Sequence, residues 1–379
     1  MSYLSIFEAP LIVVVFYALP YLLALIVIVF IHELGHFYVG RLCGVAIETF
    51  SVGFGKEIFG FNDSHGTRWK FCWIPLGGYV RFQGDANAAS LPSNDSEYRP
   101  NSLQAAKLWK RIAIVAAGPL ANFVLSIFIF AFAFMFVGIP ISEPRIDDLT
   151  VDGAAKSAGL LPGDYIRKVD GEKVNSFTDI QEKMILRGES PVALEIDRSG
   201  ETINVIITPR VKEVPDGFGS TMRMSLIGVT HDGTKDAAAS QKLYPVAAFS
   251  KATERTWFIA KTTLRYLGKI VLGSEKSNQL HGPLGAAKIA GDYASAGIWA
   301  FVTFIGLISV SIGLVNLFPV PMLDGGHLMF YFIEAIFGRP VSPQAQEWSF
   351  RIGLSVILLF MIFVTTNDLG RFAAMRFFG

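Results

Sequence analysis

The 379-residue chain is 51% hydrophobic and only 17% charged, with a mean hydropathy of +0.43, where water-soluble domains carry about a quarter charged residues. That excludes a purely soluble protein and asks for a polytopic membrane protein with some soluble mass attached. A formal net charge of +1, with no basic stripe carrying interleaved aromatics, excludes a nucleic-acid partner.

Four uncharged stretches approach the roughly 20 residues that a helix rising 1.5 Å per residue needs to cross the hydrocarbon core. They are Leu11–Ile31, Ile112–Ile139, Gly297–Leu323 and the shorter Ile352–Asn367. The first reads as a retained helix rather than a secretory signal: Glu8 is the only charge before it, and no small-residue cleavage site follows before Arg41. Nine Lys/Arg residues between the first two stretches, Arg41, Lys110 and Arg111 among them, make that loop cytoplasmic and the N-terminus external. Alternation then puts 140–296 outside, and Arg371 and Arg376 run weakly against the rule. Cys43 and Cys72 fall in the cytoplasmic loop, where thiols stay reduced, so no disulfide is expected. Asp85–Asn101 is polar and reads as an exposed loop.

Beyond Pro140 the chain changes character. Asp170-Gly171 and Ser199-Gly200 are hairpin-type turns, Val192, Leu194, Ile196 and Ile203, Val205, Ile207 alternate as strands, and Ser176–Arg187 reads as a capped helix. This is a small α+β module. From Leu243 to Val271 apolar residues mix with Lys251, Arg255, Lys261, Arg265 and Lys269, which fits an amphipathic helix on the membrane surface; the alternative is a helix packed on the soluble module.

The chemistry concentrates at the inner end of the first stretch, in His32-Glu33-Leu34-Gly35-His36. Histidines four apart share one helix face, so both can reach one zinc ion while Glu33 approaches the water that the ion activates. Ionisable groups in such an apolar run cost about 2.5–3.5 kcal/mol each and default to function. Tetrahedral zinc with an open position needs a third protein ligand. Asp324 is the candidate, in Asn316-Leu317-Phe318-Pro319-Val320-Pro321-Met322-Leu323-Asp324, a doubly proline-broken stretch; His327 competes for the role or donates a hydrogen bond to one of the ligands.

At these residues the sequence resembles the site-2 protease family, in its regulator-of-sigma-E-protease type. The resemblance rests on the His32–His36 motif followed by Arg41–Val45 and Phe50–Gly55, on Gly118-Pro119-Leu120-Ala121-Asn122, and on Asn316, Pro319, Pro321 and Leu323-Asp324-Gly325. Ala158–Ile166 before Val169-Asp170-Gly171 resembles a PDZ domain. Enterobacterial members carry two such domains, whereas about ninety residues here accommodate one.

The expected fold is thus a polytopic α-helical membrane protein. Its parts are a first transmembrane helix (1–41), a β-rich membrane-associated cytoplasmic segment and loop (42–111) and a second transmembrane helix (112–139). An extracytoplasmic PDZ-like domain (140–232), amphipathic surface helices (233–296), a third transmembrane segment (297–325) and a cytoplasmic connection with a fourth helix (326–379) follow.

The resemblance implies a Zn²⁺-dependent intramembrane endopeptidase of the bacterial inner membrane, with Glu33 as catalytic base and His32, His36 and Asp324 as metal ligands. Expected substrates are single-span membrane proteins such as an anti-sigma factor after external trimming, with remnant signal peptides as a second class. Gly77, Gly78 and Tyr79, in a glycine-paired strand segment resembling the family's membrane re-entrant β-loop, are candidates to hold unwound substrate. The alternative is an ordinary hairpin on the first span. Asn316 and Asn122, with Pro319 and Pro321, are further substrate-contact candidates; either asparagine could instead tie helices together. The PDZ-like domain would contact a peptide or obstruct bulky substrates. Asp85–Asn101 and the Leu243–Val271 helix are candidates for gating. A non-catalytic PDZ scaffold is the competing reading, and a zinc transporter a further one, disfavoured by the lack of an internal repeat.

Overall fold

The computed structural model describes residues 14–85, 100–140, 142–185, 187–215, 221–231, 240–273 and 282–378. The polar loop predicted at Asp85–Asn101 lies mostly outside them. Among the described residues, four helices are long and apolar enough to cross a membrane: Val14–Leu42, Leu108–Phe136, Ile298–Asn316 and Pro343–Gly370. The chain divides into two compact units, one of Met1–Ala131, Phe249–Ala260 and His281–Leu369, the other of Phe132–Ala248, Lys261–Leu280 and Gly370–Gly379.

In the first unit, helix α1 (Leu19–Leu42) follows a π-helical turn at Val14–Ala18. The sequence predicts a first transmembrane helix over 1–41, its uncharged stretch ending at Ile31 and the histidine motif following on the same helix. The helix runs through the histidine motif, Gly35 included, and stops where Gly44 takes φ +78°. Lys110 Nζ helps to close that end by donating to the Cys43 carbonyl at 2.7 Å.

Strands β1 (Ile47–Asn62) and β2 (Arg68–Phe82) follow. Their register places Thr49–Val52 between Gly78–Arg81 on one side and Arg68–Phe71 on the other. One face packs on α1 through Phe37, Phe50 and Val80, with Phe50 stacked on Trp69 at 4.2 Å. Phe59 and Trp73 stand 60% and 68% exposed, which suits burial in lipid.

Helix α2 (Leu108–Phe136) is a continuous helix with Pro119 inside it. It packs closely on α7 (Ile298–Asn316): Ser126 Oγ donates to the Gly306 carbonyl at 2.8 Å, Ser309 Oγ donates to the Asn122 carbonyl at 2.9 Å, and Gly313 lies against Pro119. These are the short polar contacts that hold helices together in lipid. The third segment, predicted over 297–325 with a double proline break near its end, divides into α7, a turn, and α8 (Asp324–Phe337). Pro319 cannot donate a helical hydrogen bond and pushes Phe318 out of helical geometry, so α7 stops at Asn316. Its 19 residues span about 28 Å, close to the hydrocarbon thickness.

The fourth helix, α9 (Pro343–Phe378), exceeds the predicted Ile352–Asn367. Arg351 and Asp368 bound the apolar run without ending the helix. Asp368 is buried and accepts from the Gly282 and Gly285 amides at 3.1 and 2.8 Å, capping α6 (Pro283–Ser295). The predicted surface segment 233–296 contains α5 (Pro245–Val271) and α6. Ala248, Ala252 and Ala260 of α5 are buried, while Val246, Trp257 and Leu264 are exposed.

The second unit holds a four-stranded antiparallel sheet. The strands Glu172–Lys173, Tyr165–Val169, Val192–Arg198 and Glu201–Ile207 stand in that order. Both predicted hairpin turns take the form their residues favour, with φ positive at Asp170, Gly171, Ser199 and Gly200. After a short helix α3 (Ala154–Ser157), the predicted helix is α4 (Phe177–Met184); the Ser176 side chain caps it and Asp179 completes a capping box. Ile166, Ile180, Leu194 and Ile196 form its core.

Candidate active site

His32 and His36 lie one turn apart on the buried face of α1. Asp324 opens α8, where the helix dipole favours a carboxylate. His32 Nε2 is 3.2 Å from His36 Nε2 and 3.0 Å from Asp324 Oδ2, and His36 Nε2 is 3.4 Å from Asp324 Oδ1. Among the described residues these three form a group able to hold a metal, with ligand atoms within 4.8 Å of one another.

The donor set fits zinc on three counts. Tetrahedral bonds of about 2.0–2.1 Å put ligand atoms about 3.3–3.4 Å apart, close to the spacing here. Asp324 Oδ2 is buried without a hydrogen-bond partner, its approach to His32 lacking hydrogen-bond geometry. His36 Nδ1 lies 2.9 Å from the Ile114 carbonyl; donation there leaves Nε2 free to bind.

Close helix packing makes room for this cluster. A Cβ on Gly118 of α2 would fall on His36 Nε2 and 2.9 Å from His32 Nε2, and one on Gly35 would strike the Ala117 carbonyl. Gly118 and Asn122, four apart in the Gly-Pro-x-x-Asn element, therefore share the helix face turned to the histidines. In the sequence Gly118 stands only as part of that element, and its four-residue spacing from Asn122 is the signal for a place beside the histidines. Asn122, a predicted substrate contact, is fully buried beside His32, its Nδ2 3.3 Å from His32 Nδ1.

Glu33 is half-buried on the same turn, and the Val80 backbone amide donates to its carboxylate. A Cβ on Gly78 would lie 3.1 Å from Glu33 Cγ and 2.7 Å from the Ser51 carbonyl, so glycine lets β2 reach the carboxylate. Gly77 takes φ +127°, and a Cβ there would meet the Phe54 ring, 6.0 Å from which Tyr79 stacks. Asn316 ends α7, Pro319 is exposed, and Pro321 packs under Gly326 and Gly353. His327 stands outside the metal-holding group, its ring 5.2 Å from that of Phe350.

A helix bearing His-Glu-x-x-His beside an aspartate on another helix, all within apolar segments, is a hydrolase arrangement placed at a membrane. The model of peptidase family M50 matches residues 20–360. The chain belongs to peptidase family M50. Relatives under zinc-metalloprotease names include one from Agrobacterium fabrum, 44% identical with 93% of this chain and 95% of the relative covered, and one from Rhizobium meliloti, 43% identical with 93% and 96% covered. Metalloprotease MmpA of Caulobacter vibrioides is 36% identical, with 94% and 96% covered. A PDZ domain from an SdrC-like protein of Listeria monocytogenes aligns with 24% of this chain and 90% of its own length, at 15% identity and a TM-score of 0.19. This M50 chain is a zinc-dependent, multi-pass membrane metalloendopeptidase of the site-2 protease family.

Proposed function

We propose that this M50 peptidase cleaves peptide bonds within the transmembrane segments of single-span membrane proteins, with His32, His36 and Asp324 holding zinc and Glu33 as the base. The observation that carries this reading is the convergence of the three ligand atoms beside Glu33 where α1 leaves its apolar run. When bound, zinc lowers the pKa of a coordinated water to about 7 and polarises the scissile carbonyl. Glu33 takes the proton of the attacking water and returns it to the leaving amine.

A transmembrane substrate hides its peptide groups in helical hydrogen bonds and must unwind before hydrolysis. The Gly77-Gly78-Tyr79 stretch beside Glu33 supports strand addition as the way to hold the extended segment. Asn316 ends α7, Pro319 and Pro321 belong to its connection to Asp324, and all three are the further candidates for substrate contact. Loop charge supports an external N-terminus and PDZ-like module, with zinc toward the cytoplasm of a bacterial inner membrane. Within the module, a cavity of about 260 Å³ lined by Phe177, Ile180, Met184, Met224, Ile227 and Val229 offers an apolar seat for a peptide end, supporting contact with externally trimmed substrates such as an anti-sigma factor.

The test is zinc content and cleavage of single-span reporters, an anti-sigma-type segment and a remnant signal peptide, by purified wild type, Glu33→Gln and Asp324→Asn. The reading expects wild type to carry about one zinc and cut, Glu33→Gln to keep zinc and lose 10²–10⁴-fold in turnover, and Asp324→Asn to lose both. Cleavage by Glu33→Gln at the wild-type rate would overturn it and bring a non-catalytic scaffold forward.

A further inference from the structure

We infer that Asn122 is a positioning residue that accepts a hydrogen bond from His32 Nδ1–H through its side-chain oxygen, fixing the tautomer in which His32 Nε2 can bind zinc. This rests on the zinc site proposed above and adds a residue that acts through His32.

His32 Nε2 faces His36 Nε2 at 3.2 Å and an Asp324 oxygen at 3.0 Å. To bind a cation there, Nε2 must present its lone pair, so the imidazole proton resides on Nδ1. That proton needs an acceptor, because His32 is buried and water is scarce at this depth. The neighbour at Nδ1 is the Asn122 amide, 3.3 Å away and fully buried. Placed with nitrogen toward His32, the amide would set donor against donor. Oxygen and nitrogen of an amide are assigned from such networks. Turning it by 180° makes the oxygen the acceptor, and this breaks no bond at Oδ1, which has no hydrogen-bond partner where it stands.

The Asn122 backbone is held for this task. Its carbonyl accepts from Ser309 Oγ at 2.9 Å, and Gly313 closes on its Cβ. His36 has the matching arrangement, with Nδ1 at the Ile114 carbonyl. Both imidazoles are thereby oriented by α2, one through a main-chain carbonyl and the other through a side-chain amide.

The experiment measures zinc affinity by chelator competition for wild type, His32→Ala, Asn122→Leu and Asn122→Asp, alongside the unfolding of each in excess chelator. A carboxylate accepts at Nδ1 but cannot donate, so Asn122→Asp should bind zinc at least as tightly as wild type. Asn122→Leu should bind 10–100-fold more weakly. Nitrogen-15 NMR of the zinc-loaded wild type should show His32 protonated at Nδ1, a readout independent of whether the leucine variant folds. Asn122→Leu binding like wild type, Asn122→Asp binding as weakly as Asn122→Leu, or a proton on His32 Nε2 each overturns the inference. If His32→Ala keeps wild-type zinc affinity, the zinc-site assignment falls and this inference with it; His32→Ala losing zinc while Asn122→Leu keeps it overturns this inference alone.

Discussion

Gly118 shows how much rests on one missing methyl group. A Cβ there would occupy the space where the two histidine Nε2 atoms converge. Gly118→Ala should therefore reduce zinc occupancy at least tenfold while the helix persists, since alanine is the better helix former. Inductively coupled plasma analysis beside circular dichroism checks this, and full zinc in a folded alanine variant would contradict it. The histidine pair and Glu33 were legible because helical periodicity alone puts residues four apart on one face. Asp324 was legible from its place after two prolines. The partners at Nδ1, the Ile114 carbonyl and Asn122, were not, because they meet the histidines only through helix packing across 78 and 90 positions of sequence.

Elements announced their type more clearly than their ends. The Asp-Gly and Ser-Gly turns and the capped helix at Ser176 carry their signals locally. Gly44 and Pro283 mark the ends of α1 and α6 locally, while the contacts that Lys110 and Asp368 make there come from far away in the chain and carry no local signal. The turn between β1 and β2 is organised by Asp63, which takes the Trp69 indole N–H and the His65 and Thr67 amides and pairs with Arg41. Burial acts to raise its pKa, but these hydrogen bonds outweigh it and bring the carboxyl down to about 2. With a folded value below the unfolded one of about 3.9, its stabilisation is full above that pH and is lost as pH falls toward 2. Asp63→Asn should cost about 1–2 kcal/mol at neutral pH and flatten the acid limb of stability between pH 4 and about 2, read by unfolding across that range. In the turn before α8, Met322 takes φ +85°, a conformation costing an L-residue about 1–2 kcal/mol. Met322→Gly should raise the unfolding midpoint; a lowered midpoint would show that the methionine side chain contributes more than the strain it bears.

Across the whole molecule, the amino-acid pattern made four membrane helices and an inserted α+β module legible, because hydrocarbon imposes length and apolarity on whatever crosses it. Pro319 and Pro321 marked a break in the third apolar stretch but did not disclose that a separate helix opens at Asp324. That division puts the histidines on α1 and the aspartate on α8. An ion held by all three would be a fastening between helices, and free zinc at 1,000 times its Kd would contribute about 4 kcal/mol to the folded state. Chelation should therefore lower the thermal midpoint of wild type and leave Asp324→Ala unchanged; a wild-type midpoint indifferent to chelator would contradict this. The turn at Leu317–Leu323 has a further consequence. A ligand delivered on its own helix makes catalytic competence a matter of docking: any force that draws α8 from α1 by an ångström or two disarms the protease without touching Glu33, and its return rearms it.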